Sequence, residues 1–141
     1  MAKNFPFLVY MQFTPQPSTR TPPKIVLESE EFSRSQFEEA LQQNPGRIVI
    51  KFGATWCGPC KQIEPLVSQW FSKMPETVKC FVVDIDESFD LYSAIRSKRQ
   101  INGVPAILCF NKGNVSYIPD LSVVGANVEQ VNLFFKQVCQ M

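Results

Sequence analysis

From residue 24 onward, short apolar runs alternate with longer segments whose apolar positions recur every three or four residues. Lys24 to Glu28 reads as a short strand carrying Ile25, Val26 and Leu27. Ser33 to Gln43 reads as a helix with Phe37, Ala40 and Leu41 on one face. Ser33 and Gln36 have capping-box spacing, and Asn44-Pro45-Gly46 ends the helix. Arg47 to Gly53 is nearly continuous apolar sequence, the pattern of a central strand buried on both faces. A second helix spans Cys60 to Lys73, with Ile63, Leu66, Val67 and Trp70 at helical spacing. Pro65 lies inside it and predicts a kink, because proline lacks the amide donor and crowds the preceding turn. Lys79 to Ile85 is another buried strand, followed by a short helix with Leu91, Ala94 and Ile95. Ala106 to Phe110 and Val115 to Ile118 predict a hairpin across Asn111 to Asn114, and Val128 to Val138 a last helix. The order β-α-β-α-β-α-β-β-α predicts an α/β fold: a central mixed β-sheet flanked by helices on both faces.

Residues 1 to 23 are of another kind. Residues 5 to 13 are strongly apolar, but Pro6 interrupts them and no small-residue cleavage site follows, so a secretory signal is disfavoured. An added strand or a docking arm accounts for the run better. Residues 14 to 23 hold four of the eleven prolines and read as an extended linker. The expected organisation is an N-terminal extension, 1–23, and one domain, 24–141. No segment approaches the roughly 20 apolar residues of a membrane span, so no membrane partner is expected.

Composition narrows the chemistry. The chain has 141 residues, one domain's worth, and 14 basic against 13 acidic residues, which gives no electrostatic case for nucleic acid. It contains no histidine, which removes imidazole bases, Ser-His and Cys-His couples and histidine metal ligands. The five cysteines are Cys57, Cys60, Cys80, Cys109 and Cys139. Cys80 and Cys109 sit in apolar runs, as small buried hydrophobes do. An odd, scattered set is not a disulfide framework, and it fits a reducing, cytoplasmic location. Cys139, after Phe134-Phe135 near the C-terminus, is a candidate exposed thiol.

Only Cys57 and Cys60 are close together, and they lie where a buried strand gives way to a helix. Amides at a helix start favour an anion, which lowers a thiol pKa at Cys57. Positions three apart share a helix face, so Cys60 can reach Cys57. Gly58 permits close backbone approach, and Pro59 presets φ at the helix start. Such a pair performs dithiol–disulfide exchange: one thiol attacks a disulfide and the other resolves the mixed disulfide. Zinc would need two further ligands, and neither a second C-x-x-C nor a histidine supplies them, so no metal is expected.

Trp56-Cys57-Gly58-Pro59-Cys60-Lys61 resembles the active-site motif of the thioredoxin family. Pro65 matches that family's kink proline, and Val83-Asp84-Ile85-Asp86 its third strand and strand end. Gly103-Val104-Pro105 is similar to its cis-proline segment, Phe110-Asn111-Lys112-Gly113 to its hairpin turn, and Val124-Gly125-Ala126 to the glycine loop before its last helix. The likeness covers about residues 24 to 138. It implies a thioredoxin fold with Cys57 as nucleophile, Cys60 as resolving thiol and Pro105 in the cis form. It also implies a shallow peptide-binding face made of Trp56, Gly58, Pro59, Val104, Pro105, Gly125 and Ala126. The activity implied is protein-disulfide reduction, with electrons passing from a thioredoxin reductase, or an equivalent donor, to oxidised protein targets. No cofactor beyond the redox-active disulfide is implied; NADPH enters only through the reductase. A monomer or weak dimer is expected. The alternatives are a disulfide oxidant or isomerase and a non-catalytic binding module on the same fold.

The sequence departs from the family at Lys51, where members usually carry a buried aspartate. A buried ammonium must snorkel, pair with a carboxylate such as Glu64, or lose its proton. Lys51, and Lys61 next to Cys60 in the motif, are expected to modulate the thiols. Two stretches, Arg96 to Asn102 and Ser116 to Val123, look longer than usual for the family. The basic residues Arg96, Lys98 and Arg99 of the first either select acidic partners or are simply solvated.

Overall fold

In a computed structural model the described residues are 24–27, as backbone only, together with 31–98 and 101–140. The readings made on residues 1–23 and on Arg99 fall outside them. The elements in chain order are β1 (Lys24–Leu27), α1 (Arg34–Gln42), β2 (Arg47–Gly53), α2 (Gly58–Lys73), β3 (Val78–Asp84), α3 (Phe89–Ser97), β4 (Ala106–Asn111), β5 (Leu121–Val124) and α4 (Val128–Gln140).

The sheet order is β1-β3-β2-β4-β5. β1 and β2 both run parallel to β3, while β4 runs antiparallel to β2 and β5 antiparallel to β4. β2 is therefore the middle strand, as its nearly continuous apolar run leads one to expect. Because side chains alternate across a strand, Ile48, Ile50 and Phe52 enter one core with α1 and α3, together with Leu108 and Phe110 of β4. Val49, Ile107 and Cys109 enter the other, with α2 and α4. Lys51 shares the alternation of Val49 and so lies on the α2 side of the sheet.

Local chemistry fixes the helix ends. The Ser33 hydroxyl accepts from the Gln36 amide at 3.1 Å and the Gln36 side chain accepts from the Ser33 amide at 2.8 Å, the predicted capping box. Asn44, buried in the turn after α1, donates to the Phe110 carbonyl and accepts from the Gly46 amide, both at 2.9 Å. α2 begins two residues earlier than expected, at Gly58, because Cys57 is its N-cap. It continues through Pro65 as one element. The Trp70 ring of α2 stacks on Phe135 of α4 at a centroid distance of 5.4 Å, and its indole donates to Asn132 at 2.8 Å, locking the two helices together.

One predicted element is corrected. The strand returning from β4 is Leu121–Val124, not Val115–Ile118. Polar side chains close the intervening loop in a form no strand can share. Asp120 accepts from the Asn111 amide at 2.7 Å and from the Asn114 side chain at 2.9 Å, and Asn114 also donates to the Ile118 carbonyl. Val115 and Ile118 are left exposed, while Tyr117 turns back on α1, edge-on to Phe37 at 5.1 Å. The Tyr117 hydroxyl donates to Glu38 at 2.6 Å. Burial, then the Glu38 hydrogen bond and charge, push its pKa up to about 12.

Candidate active site

The parallel pair β2–β3 ends at one edge of the sheet, and the chain leaves β2 through Gly53, Ala54, Thr55 and Trp56 to enter α2. Cys57 sits at the N-cap with extended backbone, φ −92° and ψ 108°. Its sulfur accepts from the Cys60 amide at 3.1 Å, and its carbonyl accepts the first helical bond, from Lys61, at 3.3 Å. Cys57 is disulfide-bonded to Cys60, with Cα atoms 5.3 Å apart. Once the bond is reduced, charge on Cys57 Sγ would face the first amides of a sixteen-residue helix, and those amides and the helix dipole favour the thiolate.

Three backbone segments meet at this sulfur. The Val104–Pro105 peptide bond is cis, as the resemblance implied. The Val104 carbonyl lies 3.9 Å from Cys57 Sγ. The Gly125 amide donates to the Pro105 carbonyl at 2.8 Å, which ties the glycine loop to the cis-proline segment. Gly125 has φ +103°, a conformation that side-chain-bearing residues rarely adopt. Cys57, Val104, Pro105 and Gly125 thus form one connected group. Ala126, half-buried, packs instead on the α2–α4 core. Gly58 and Pro59 form the first turn of α2. Trp56 lies outside the core with 66% of its surface exposed, while its indole donates to Asp86 at 2.8 Å. Sequence reasoning assigned Asp86 no site role; its position at the end of the third strand was the only signal available.

Lys51 and Lys61 belong to a second part of the site, behind the disulfide. They line a cleft of about 690 Å³ together with Gly53, Cys60, Glu64 and Asp84. Lys51 is 3% exposed, and among the described residues it has no ion-pair partner within 4.0 Å. Its side chain is therefore buried rather than extended into solvent, and Glu64 is a cleft neighbour rather than a close ion-pair partner. Burial holds its pKa below the usual lysine value, against a weaker opposing pull from Glu64. The other thiols are remote from this chemistry: Cys80 and Cys109 are buried in the sheet and Cys139 is exposed. Burial pushes the Cys109 thiol up to about 12. Among the described residues no group of three His, Cys, Asp or Glu side chains is placed to hold a metal ion, and no helix is long and apolar enough to cross a membrane.

The arrangement is a two-electron couple, a dithiol that closes to a disulfide at the start of a helix, beside the cis-proline segment. Comparison with known proteins points the same way. Residues 28–135 match the family model Thioredoxin. The chain is 33% identical to Thioredoxin-1 of Saccharomyces cerevisiae over 93 residues, which cover 66% of this chain and 81% of the yeast protein. It is 36% identical to Thioredoxin-1 of Caenorhabditis elegans over 84 residues, 59% of this chain and 69% of the nematode protein. The solved structure of Malassezia sympodialis thioredoxin superposes with a TM-score of 0.61 at 30% identity, covering 84% of this chain and 95% of that one. Trypanosoma brucei brucei thioredoxin gives a TM-score of 0.65 at 26% identity, covering 89% and 99%. With this fold, this disulfide and these relatives, the chain belongs to the thioredoxin family, oxidoreductases that work by dithiol–disulfide exchange.

Proposed function

We propose that the chain is a protein-disulfide reductase that takes electrons from a thioredoxin reductase or an equivalent donor and passes them to oxidised proteins. The observation that carries this reading is Cys57 at the N-cap of α2, disulfide-bonded to Cys60 and beside the Val104 carbonyl. In the reduced state the Cys57 thiolate attacks one sulfur of the target disulfide, and the first target thiolate leaves. Cys60 then attacks Cys57 Sγ, the second target thiolate leaves, and the enzyme retains the disulfide. An extended target segment pairs with the Val104 backbone, while Trp56, Gly58, Pro59, Pro105, Gly125 and Ala126 supply the shallow face.

Two features set the chain apart within this reading. Lys51 occupies the place where the family usually carries a buried aspartate, so an amine stands behind the dithiol in place of a carboxyl group. Residues 1–23 are read as an extension of the family domain of 24–141, an added strand or an arm with a proline-rich linker. A cytoplasmic location goes with this proposal, because a reductase needs a reducing pool to draw on.

The test is NADPH-coupled reduction of a disulfide-containing model protein in the presence of a thioredoxin reductase, comparing wild type with Cys57→Ser. Turnover by the wild type and none by the variant is expected. A wild type inert with several reductases would overturn the proposal in favour of a binding module on the same fold.

A further inference from the structure

The cleft behind the disulfide continues along α2 into a second one of about 350 Å³, and the two share Lys51, Glu64 and Val82. Pro65, Val67 and Phe71 give the second part a largely apolar wall, with Ser68 beside them. Lys51 stands where the two parts meet. It is 3% exposed, and among the described residues its amine makes no hydrogen bond and no ion pair. Buried polar groups are nearly always partnered, so an unpartnered amine at a cleft marks a place for a ligand. There is room for one at the nitrogen itself. A Cβ at residue 53 would lie 4.0 Å from Lys51 Nζ and 3.5 Å from Cys60 Sγ, so Gly53 leaves the space beside the amine clear.

The surroundings select the ligand's chemistry. From α2 the amine is faced by Cys60, Lys61 and Glu64, and from the end of β3 by Asp84. Its partners across the sheet, Val82 on β3 and Ile107 on β4, are apolar. The carboxylates of Glu64 and Asp84 disfavour an anion, and the two lysines disfavour a cation. A neutral molecule with an apolar body fits best. Burial disfavours the ammonium, against a weaker pull from Glu64, and a neutral amine carries the lone pair of a nucleophile. Desolvated lysines of this kind form Schiff bases with carbonyl compounds. We propose that Lys51 is a covalent binding site for small neutral aldehydes, held as an imine with their apolar chain along Val67 and Phe71. The Lys51 nitrogen adds its lone pair to the carbonyl carbon, and a proton passes from nitrogen to oxygen. Water then leaves as the C=N bond forms. Nothing is oxidised or reduced, and water returning through the cleft reverses the step. The site uses no thiol, so it stands apart from the exchange reaction.

The test is labelling of the full, oxidised chain with butanal at pH 7, with cyanoborohydride present to fix each imine as a secondary amine. Peptide mass spectrometry then compares Lys51 with the exposed lysines Lys73, Lys112 and Lys136. Lys51 is expected to take on the order of tenfold more label than any of these, because each unit of pKa lowering raises the neutral fraction tenfold. That preference should disappear when the same chain is labelled unfolded in urea. It should be smaller with glyoxylate, an anionic aldehyde of similar size. Ser68→Trp places a large ring in the apolar part without touching the amine. It should reduce the preference with butanal and leave it intact with formaldehyde, which has no chain to house. Label spread evenly over the four lysines would overturn the proposal, and so would a preference that survives unfolding. Equal preference for butanal and glyoxylate, or for butanal in wild type and Ser68→Trp, would show a reactive amine without a binding site and would overturn it as well.

Discussion

Replacing Lys51 with methionine should make the fold more stable at neutral pH, and that gain should shrink as the pH rises. Lys51 is buried with no carboxylate within ion-pair distance among the described residues, so only a weaker attraction from Glu64 offsets the loss of water around its charge. Exchanging buried ionic groups for apolar ones of similar volume stabilises by about 1–4 kcal/mol. The cleft beside Lys51 lets water reach part of its environment, which places the expectation in the lower half of that range, about 1–2 kcal/mol. The sign of the pH dependence follows from linkage. The folded pKa lies below the unfolded value of 10.5. Between the two, the unfolded chain binds a proton that the folded one does not, so wild-type stability rises with pH there. The slope reaches at most about 1.4 kcal/mol per pH unit. The variant lacks this rise, so the difference between the proteins is largest below the folded pKa and fades towards 10.5. Urea unfolding of the oxidised proteins measures it, because the disulfide then contributes no titrating thiol. With a urea slope of about 1–3 kcal/mol per molar, the midpoint should rise by roughly 0.5–1.5 M near neutral pH. A variant less stable than wild type at neutral pH, or a difference that stays flat up to pH 10.5, would refute the reasoning.

Phe37→Ala should cost about 3–5 kcal/mol of stability in the same unfolding assay, since this fully buried ring contacts Phe32, Phe110 and Tyr117. Gly125→Ala forces a side chain into φ +103° and should cost about 1–3 kcal/mol. By disturbing the bond to the Pro105 carbonyl it should also slow reduction of a protein disulfide more than that of a small aromatic one. Glu38→Gln should lower the Tyr117 pKa from about 12 while leaving it above 10.0, because burial persists; ultraviolet titration reads the shift.

Much of the fold is visible in the sequence where a single physical cause dominates. β2 keeps its predicted bounds because a strand buried on both faces must be apolar throughout. α1 is marked at its start by Ser33 and Gln36 and closed by the turn at Asn44, all of which act locally. The hairpin strand was misplaced because Val115 and Ile118 look like strand residues, while the decisive groups, Asn114 and Asp120, are polar and act through side-chain geometry. At the site, the spacing of Cys57 and Cys60 identifies the chemistry, and Lys51 stands out as a charge in an apolar run. The relations between residues do not stand out. That Asp86 would meet the Trp56 indole, that Gly125 would bond to Pro105, and that Gly53 would leave a gap between Lys51 and Cys60 all depend on how separate segments meet in space.

The most direct measurement is the reduction potential of the Cys57–Cys60 couple, taken by equilibrating the protein with dithiol buffers of known potential and trapping the free thiols. A reductase should lie near the thioredoxin value of about −270 mV. A potential near about −180 mV, the range of disulfide isomerases, or no reversible two-electron couple at all, would contradict the assignment.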